Sequence, residues 1–209
     1  SERSAGKNYL DAIRNEGGII MWDVGGEIPD YIKEMVKDIE RLETITDRFS
    51  KIGSVPELKP SDIVSETKES FAYLQSRTSK LIDFNIEIPE KVIKVKFNEQ
   101  LYSWTIENLV KNAIDAMQGI GKIEINVTKE GSNAIVTISD TGKGIPKRLQ
   151  KKIFEPGYTT KKRGWGLGLS LTKRIINDYH KGRIYVKKSE IGVGTTFLIQ
   201  LKIAEEDKN

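Results

Sequence analysis

Three polar side chains near the middle of the chain have types and spacing suited to binding a cation or a phosphate. Asn108, Asn112 and Asp115 recur every three or four residues, so a helix would place them on one side. Asparagine is a poorer helix former than the Glu, Lys and Gln residues that usually cover a solvated helical face. Two asparagines one turn apart therefore indicate that their side-chain oxygens are needed, and Mg²⁺ prefers oxygen ligands. For this helix alone, an ordinary solvated face is an equally good interpretation.

A carboxylate follows a predicted strand, at the start of a turn that contains glycine. The run 134–139 is rich in β-branched residues and predicts a buried strand, and Asp140 stands at its end before Gly142 and Gly144. The carboxylate can accept a hydrogen bond from the amino group of adenine but would repel the carbonyl oxygen of guanine. The glycines let the main chain approach a flat ring. Taken alone, an ordinary Asp-Thr-Gly turn is the simpler interpretation.

A third glycine-containing run lies at the start of a predicted helix. Gly164, Gly166 and Gly168 alternate with larger residues, and the helix is predicted from Leu167 to about Tyr179. Main-chain amides at a helix start bind anions, and glycines leave room for phosphate oxygens. The spacing matches neither the dinucleotide-binding fingerprint nor the Walker sequence, so this run alone is weak evidence.

The order and spacing of the three motifs resemble the N, G1 and G2 boxes of the superfamily that contains histidine kinases, DNA gyrase, Hsp90 and MutL. Phe154 and the run 159–161 resemble its F box and lid, and the run 194–197 resembles its closing Gly-Thr element. The resemblance covers about residues 98–201. It implies the Bergerat fold, an α+β two-layer α/β sandwich, preceded in this chain by a helical segment. It also implies ATP and Mg²⁺ as ligands.

The resemblance gives each matching residue an expected role. Asn112 is expected to ligate Mg²⁺, with Asn108 beside the phosphates and Lys161 on the β- and γ-phosphates; these three are the expected catalytic residues. Asp140 is expected to bind the adenine amino group, and Thr195 to support that site through its hydroxyl. The full set expected around the nucleotide is Asn108, Asn112, Asp115, Asp140, Gly142, Gly144, Ile145, Thr159, Thr160, Lys161, Gly164, Gly166, Leu167, Gly168 and Thr195.

The residue four positions before Asn112 bears on the reaction. Members of the superfamily that hydrolyse ATP have a glutamate there to polarise the attacking water, whereas this chain has Asn108. A carboxamide cannot act as a general base. The chain therefore resembles the catalytic domain of a two-component sensor histidine kinase, which transfers the ATP γ-phosphate to a histidine on a dimerisation helix. The alternatives are a clamp ATPase of the gyrase or MutL type and a nucleotide-gated binding module without transfer activity.

The phospho-accepting histidine of such kinases has no counterpart in this chain. The single histidine, His180, lacks the His-Glu-x-x-x-Pro-like context of the acceptor. We expect its side chain to be a cation at a helix C-terminus or a residue on the surface. The chain by itself is therefore expected not to autophosphorylate. The expected partners are a phospho-acceptor helix of the same or a sister subunit and a response-regulator receiver domain. The full-length protein is expected to be a homodimer.

Hydrophobic periodicity predicts the elements that must position these residues. Apolar residues every three or four positions predict a helix over 29–50, and the run 39–53 resembles the second helix of a histidine-kinase dimerisation hairpin. Residues 55–60 are predicted to be a linker. Further helices are expected from an Asp62 cap to about Arg77 and over 98–117, and strands at 82–88, 92–97, 121–129, 134–139, 183–188 and 195–202. We divide the chain into a partial dimerisation region with its linker, 1–58, and an ATP-binding catalytic domain, 59–209.

Composition narrows the remaining classes of function. The chain has no cysteine and one histidine, which excludes disulfides, thiol chemistry and a His-rich metal site. It has no run of 18 apolar residues, so we expect a cytoplasmic domain whose parent can be anchored in the inner membrane only through other segments. The pI is about 9.0. The segment 141–163 contains eight Lys or Arg and a single acid, Glu155. A basic segment between the expected base and phosphate sites fits a triphosphate or an acidic partner protein better than nucleic acid.

Overall fold

The computed structural model describes residues 56–161 and 165–204, and earlier in the chain only Val36 and Ile39, which are α-helical. The chain divides into two compact units, Ser1–Ser54 and Val55–Asn209. Apart from those two positions, the predicted helix over 29–50 and the resemblance of 39–53 to a dimerisation helix lie outside the described residues. No helix within the described ranges is long and apolar enough to cross a membrane.

Strands and helices are mixed along the second unit, together with two 3₁₀ turns, Lys147–Leu149 and Lys152–Phe154. In chain order the elements are β1 (Lys59–Asp62), α1 (Ile63–Ser76), β2 (Ile82–Glu87), β3 (Lys94–Phe97), α2 (Glu99–Ala116), β4 (Gly121–Glu130), β5 (Asn133–Asp140), α3 (Gly168–Arg174), β6 (Arg183–Glu190) and β7 (Gly194–Lys202). A π-helical turn, Ile175–Tyr179, continues α3.

A five-stranded sheet in the order β2-β4-β5-β7-β6 forms one layer. β2 and β4 are parallel, and the other pairs are antiparallel. Alternate residues from Ile123 to Val127 of β4 are fully buried, while Glu124 and Asn126 between them are only partly buried. This alternation is typical of a sheet with one face against a helical layer and one toward water. The expected two-layer α+β architecture is confirmed.

The helices α1 and α2 pack against each other, and α2 also packs on β4 and β5. The side chain of Asp62 caps α1 by accepting a hydrogen bond from the amide of Val64 (3.1 Å), as predicted from the sequence, and it also accepts one from the amide of Ile93 outside the helix (3.0 Å). Asn98 caps α2 in the same way by accepting from the amide of Leu101 (3.1 Å). Both caps supply acceptors for amides that have no partner within the helix.

Three predicted boundaries are corrected by the structure. The linker predicted over 55–60 ends in strand β1, which pairs with β3 in a separate antiparallel ribbon. The strand predicted over 92–97 is limited to β3. The helix predicted from Leu167 to Tyr179 is α-helical only over α3 and then widens into the π-helical turn.

Candidate functional site

The helix α2 presents one apolar and one polar side. Leu109, Val110 and Ala113 are buried among the core residues, whereas Asn108 and Asn112 are half-buried. Asp115, one turn further on, has 54% of its side chain exposed. The predicted arrangement of the three polar residues on one side of a helix therefore matches the structure, and this side contacts each of the other motifs.

The first contact joins Asn108 to the glycine run. A Cβ built on Gly168 would lie 3.5 Å from Oδ1 of Asn108, an ordinary van der Waals distance. The amide nitrogen Nδ2 of Asn108 is buried, and it has no hydrogen-bond partner within the described part of the chain. A buried amide without a partner is unfavourable by about 1–3 kcal/mol, so this nitrogen is suited to donate to a bound acceptor.

The second contact joins the helix to the lid. The Lys161 ammonium donates to Oδ1 of Asn112 at 3.0 Å and forms an ion pair with Asp115. One cation is thus shared between a carboxamide oxygen and a carboxylate. Thr159 accepts a hydrogen bond from the Lys161 amide through Oγ1 (3.1 Å), and Thr159 and Thr160 are both exposed.

The third contact joins the C-terminal end of α2 to the turn after β5. The amide of Lys143 donates to the carbonyl of Ala116 at 3.0 Å. A Cβ on Gly142 would lie 2.7 Å from Ala116, and one on Gly144, which has φ +72°, would lie 2.0 Å from the carbonyl oxygen of Glu190. Both glycines are therefore required by main-chain packing of the turn itself.

Asp140 lies at the end of β5 on the face that points to the helices, where only 8% of it is exposed. Its Oδ1 accepts from the amide of Gly142 at 2.8 Å. Burial raises the pKa of the Asp140 carboxyl above its ordinary value, and hydrogen bonds from the main chain of Gly142 and Thr195 act in the opposite direction. A further donor, such as an exocyclic amine, would favour the ionised form.

Thr195 and Ile145 are linked through a residue that sequence reasoning missed. The Ser189 hydroxyl accepts from the amide of Ile145 (2.7 Å), donates to the carbonyl of Gly194 (3.1 Å) and hydrogen-bonds the Thr195 hydroxyl (2.9 Å). Ser189 therefore ties the turn after β5 to the start of β7. No motif in the sequence points to it, because its partners lie in the turn after β5 and at the start of β7 and are brought together only by the fold.

Glycine is required at position 166 for a reason that the sequence did not suggest. Gly166 has φ +66°, and a Cβ there would lie 2.3 Å from the main chain of Gly157, whose amide donates to the Gly166 carbonyl at 3.0 Å. Gly166 is thus needed for contact with the lid, and room for phosphate stays a prediction for both Gly166 and Gly168. Gly164 lies outside the described residues. Leu167 precedes α3 without a side-chain cap.

Phe154 anchors the start of the lid. Its ring is buried and stands edge-on to Phe197 of β7, with the ring centroids 6.2 Å apart. Tyr158 is half-buried, and the Lys152 ammonium lies 5.8 Å from the centre of its ring.

The expectation that His180 is a cation or a surface side chain is wrong. The imidazole is 6% exposed. Burial lowers its pKa to about 4, although its hydrogen bond with the main-chain carbonyl of Ile175 acts in the opposite direction. At neutral pH it is therefore a neutral side chain within the core. Its burial agrees with the expectation that it is not the phospho-acceptor.

Comparisons with known proteins agree with the geometry of the site. The family model for "Histidine kinase-, DNA gyrase B-, and HSP90-like ATPase" matches residues 98–205. The signal transduction histidine-protein kinase AtoS of Escherichia coli (strain K12) is 30% identical over 202 residues, which are 94% of this chain and 33% of AtoS. The chain thus spans about a third of the length of this curated relative.

Two solved structures of the histidine kinase ThkA are also similar. Its catalytic domain gives a TM-score of 0.64 at 31% identity, covering 70% of this chain and 96% of that domain. ThkA in complex with the response regulator protein TrrA gives a TM-score of 0.71 at 27% identity, covering 98% of this chain and 63% of that one.

The fold and the site define an ATP-binding domain of the sandwich type. The chain belongs to the histidine kinase-, DNA gyrase B- and HSP90-like ATPase family, and its relatives include the histidine-protein kinase AtoS and the sensor histidine kinase ZraS of Salmonella typhimurium. The expected family is confirmed, and ATP is the nucleotide that it implies. The residues present fit ATP: the orphan amide of Asn108, the lysine of the lid and the buried carboxylate of Asp140 are suited to phosphate and to an amino group.

Proposed function

We propose that this domain binds ATP with Mg²⁺ and transfers the γ-phosphoryl group to a histidine on a dimerisation helix. One observation carries the proposal: the polar side of α2 contacts all the other motifs. Asn108 lies against Gly168, Asn112 holds Lys161, and Ala116 lies against Gly142. A single bound nucleotide could therefore reach every motif at once.

Asn112 is the proposed ligand of Mg²⁺ through Oδ1, with Asp115 nearby. What supports this is that both oxygens already share one cation, the Lys161 ammonium. Mg²⁺ prefers oxygen ligands and is commonly bound through one or two protein oxygens plus substrate phosphates. When bound, Mg²⁺ would neutralise charge on the phosphates.

The phosphates are proposed to lie between Asn108, Lys161 and the start of α3. Nδ2 of Asn108 is the donor without a partner, and Lys161 carries the positive charge. In the transfer, the bond between the γ-phosphorus and the β–γ bridging oxygen breaks and a phosphorus–nitrogen bond to the imidazole forms. Protein groups act in such a reaction chiefly by positioning and by stabilising charge.

The base is proposed to bind at Asp140. The carboxylate accepts from the adenine amino group while the main chain of Gly142 fixes its orientation. The turn through Gly144 and Ile145 and the hydroxyl of Thr195 complete this end, held together by Ser189. Because Asp140 is buried, a purine with a carbonyl at that edge would face an unpaired acceptor and bind less well.

Transfer to histidine is favoured over hydrolysis because position 108 carries no base for water. Asn108 is a carboxamide, and a carboxamide cannot take a proton. An attacking imidazole from another helix carries its own lone pair. His180 cannot serve, because its two ring nitrogens are engaged with Asn98 and Ile175.

The proposed partners follow from this chemistry. They are ATP, the phospho-acceptor helix of the same or a sister subunit, and a receiver domain of a response regulator, in a homodimeric full-length protein. We place the domain in the cytoplasm and assign any anchoring in the inner membrane to other parts of the parent.

Labelled ATP tests the proposal directly. The chain is incubated with ATP labelled in the γ-phosphate, Mg²⁺ and a separately prepared acceptor hairpin from a related kinase. Acid-labile label on the hairpin histidine supports transfer. Free phosphate alone supports a clamp ATPase, and nucleotide binding without either product supports a nucleotide-gated module; each of these two results contradicts the kinase.

A further inference from the structure

His180 is held in one orientation and one protonation state by two main-chain groups. The amide of Asn98 donates to Nε2 at 2.9 Å, and Nδ1 lies 2.9 Å from the carbonyl oxygen of Ile175. A main-chain amide can only donate, so Nε2 must be the acceptor and carry no proton. The carbonyl can only accept, so Nδ1 must carry the proton. The contacts therefore require the neutral ring with its proton on Nδ1.

The two partners of the ring belong to the two helices that bear the nucleotide motifs. Asn98 caps α2, and Ile175 begins the π-helical turn that continues α3. Among the further contacts between these helices is that of Asn108 with Gly168. Since Asn98 and Asn108 are ten positions apart in the sequence, the two contacts are separated by about 15 Å along α2. The two contacts thus lie at the two ends of α3.

The chain around His180 is itself firmly placed. The His180 amide also donates to the Ile175 carbonyl at 3.0 Å, and the Gly182 amide donates to the Ile176 carbonyl at 2.8 Å. A Cβ on Gly182 would lie 2.4 Å from the carbonyl oxygen of Gln200, so this end of the helix is pressed onto β7. The imidazole is contacted by the main-chain groups of Asn98 and Ile175, and the centroid of the Phe97 ring lies 6.5 Å away.

We propose that His180 is a positioning residue that fixes α2 relative to α3, and through that pairing holds Asn108 and Asn112 in register with the glycine run. The proposal rests on the proposed function. Without the ring, the capped end of α2 loses its hydrogen-bonded link through the imidazole to the helix after the glycine run. The register of Asn108 against Gly168 then depends on the remaining packing of the two helices, and the Asn side chains shift relative to the phosphates.

Nuclear magnetic resonance of the full chain tests the required state of the ring. His180 is the single histidine, so its ring nitrogens give signals without overlap. We expect the Nδ1-protonated neutral ring at pH 7 and slow hydrogen exchange of the Asn98 amide. A ring protonated on Nε2 would overturn the proposal, because it could not accept from Asn98.

Variants test the effect on the nucleotide site. His180→Phe keeps a ring but removes both hydrogen bonds. His180→Gln restores one acceptor and one donor. Leu198→Ala is the control, because it removes a buried side chain from the sheet face opposite the helices. For His180→Phe we expect faster exchange of the Asn98 amide and Mg·ATP binding weakened about tenfold, since small misplacements of binding groups are costly. His180→Gln should recover part of the affinity, and Leu198→Ala should keep wild-type affinity.

The outcomes separate this proposal from the proposed function. If the wild type binds Mg·ATP and both His180 variants bind it equally well, the positioning role is wrong. If affinity falls equally in Leu198→Ala, the effect is general destabilisation and the role is again wrong. If the wild type itself does not bind, the proposed function fails. Should His180→Phe not fold, His180→Gln and the state of the wild-type ring still decide.

Discussion

The ammonium of Lys161 lies 3.0 Å from Oδ1 of Asn112, the oxygen proposed to ligate Mg²⁺. The same ammonium is paired with Asp115. The lid is therefore connected to the Asn-bearing helix by one positive charge on two oxygens. Mg²⁺ and the Lys161 ammonium cannot occupy the same oxygen of Asn112 at once. When Mg·ATP binds as proposed, Lys161 therefore turns away from Asn112 and toward the phosphates.

Replacing Lys161 by methionine is expected to weaken ATP binding more than ADP binding. The side chain keeps its length but loses the charge that would face the γ-phosphate, a loss of about 1.5–3 kcal/mol for ATP. Stability should change by no more than about 1 kcal/mol, because the Lys161–Asp115 pair is roughly half exposed, with 47% and 54% of the side chains accessible. Calorimetry with ADP and a non-hydrolysable ATP analogue measures the difference.

Lys147→Met is the matched control for that variant. Lys147 is an exposed residue of the same basic segment. The Lys147→Met variant should bind ADP and the ATP analogue with the same affinities as the wild type. An equal loss in the two variants would mean that general positive charge, and not Lys161 itself, attracts the nucleotide.

The sequence predicted the site residues that depend on one element, and failed where distant parts of the chain meet. The side of α2 with Asn108 and Asn112 follows from helical spacing, and Asp140 follows from the apolar strand before it. His180, in contrast, stands between the polar residues Asp178 and Lys181, which locally indicate a surface. Its burial is decided by the start of α2, 82 positions away.

Strand β1 and Gly166 show the same limit. The strand Lys59–Asp62 contains Pro and Asp, which have low β-propensity, and it forms only because β3 supplies the partner. Gly166 could be recognised as special, but its reason, contact with the main chain of Gly157, required the fold of the lid. The local sequence pattern predicts helices and strands, whereas tertiary contacts decide which residues lie close to distant parts of the chain.

Replacing Asn112 by alanine is expected to remove the dependence of ATP binding on Mg²⁺. The wild type should bind ATP more tightly with Mg²⁺ than with a chelator, and the variant equally in both conditions. Folding should be preserved, because alanine favours a helix by some tenths of a kcal/mol over asparagine. Lys111→Ala, on the exposed side of α2, should keep the wild-type response. A variant that still responds fully to Mg²⁺ would remove Asn112 from the metal site.

A glutamate at position 108 is expected to convert the site toward hydrolysis. Asn108→Glu would place a carboxylate beside Gly168, where a base could act on water, and general-base catalysis is worth on the order of 100-fold or more. The measurement is phosphate release in the absence of an acceptor hairpin. Asn108→Gln has the same length without a base and should show no gain. Equal rates in the two variants would indicate that position 108 does not face the attacking water.

Replacing Asp140 by asparagine is expected to separate binding from stability. Adenine binding loses a charged acceptor, which should weaken ATP affinity by about 1–3 kcal/mol. Because burial raises the pKa of Asp140, folding favours its protonated form, and the stability it contributes decreases as pH rises through the folded pKa. The neutral variant lacks this loss, so above that pH it should be at least as stable as the wild type. Melting curves and ATP titrations at pH 7 and 8 test both halves, and unchanged ATP affinity would exclude Asp140 from the base site.

The stability of the domain is expected to depend on His180 in acid. Its pKa is lowered from 6.5 to about 4 by burial, so folding favours the neutral ring and the unfolded chain binds the proton. The contribution is fully present above pH 6.5 and decreases as pH falls toward 4, by about 3 kcal/mol in total. Chemical unfolding of the wild type and His180→Gln at several pH values from 7.5 to 4 isolates this term, because the carboxylates titrate in both. The difference in unfolding free energy should shrink with falling pH, and a constant difference would show that the ring does not change its charge over this range.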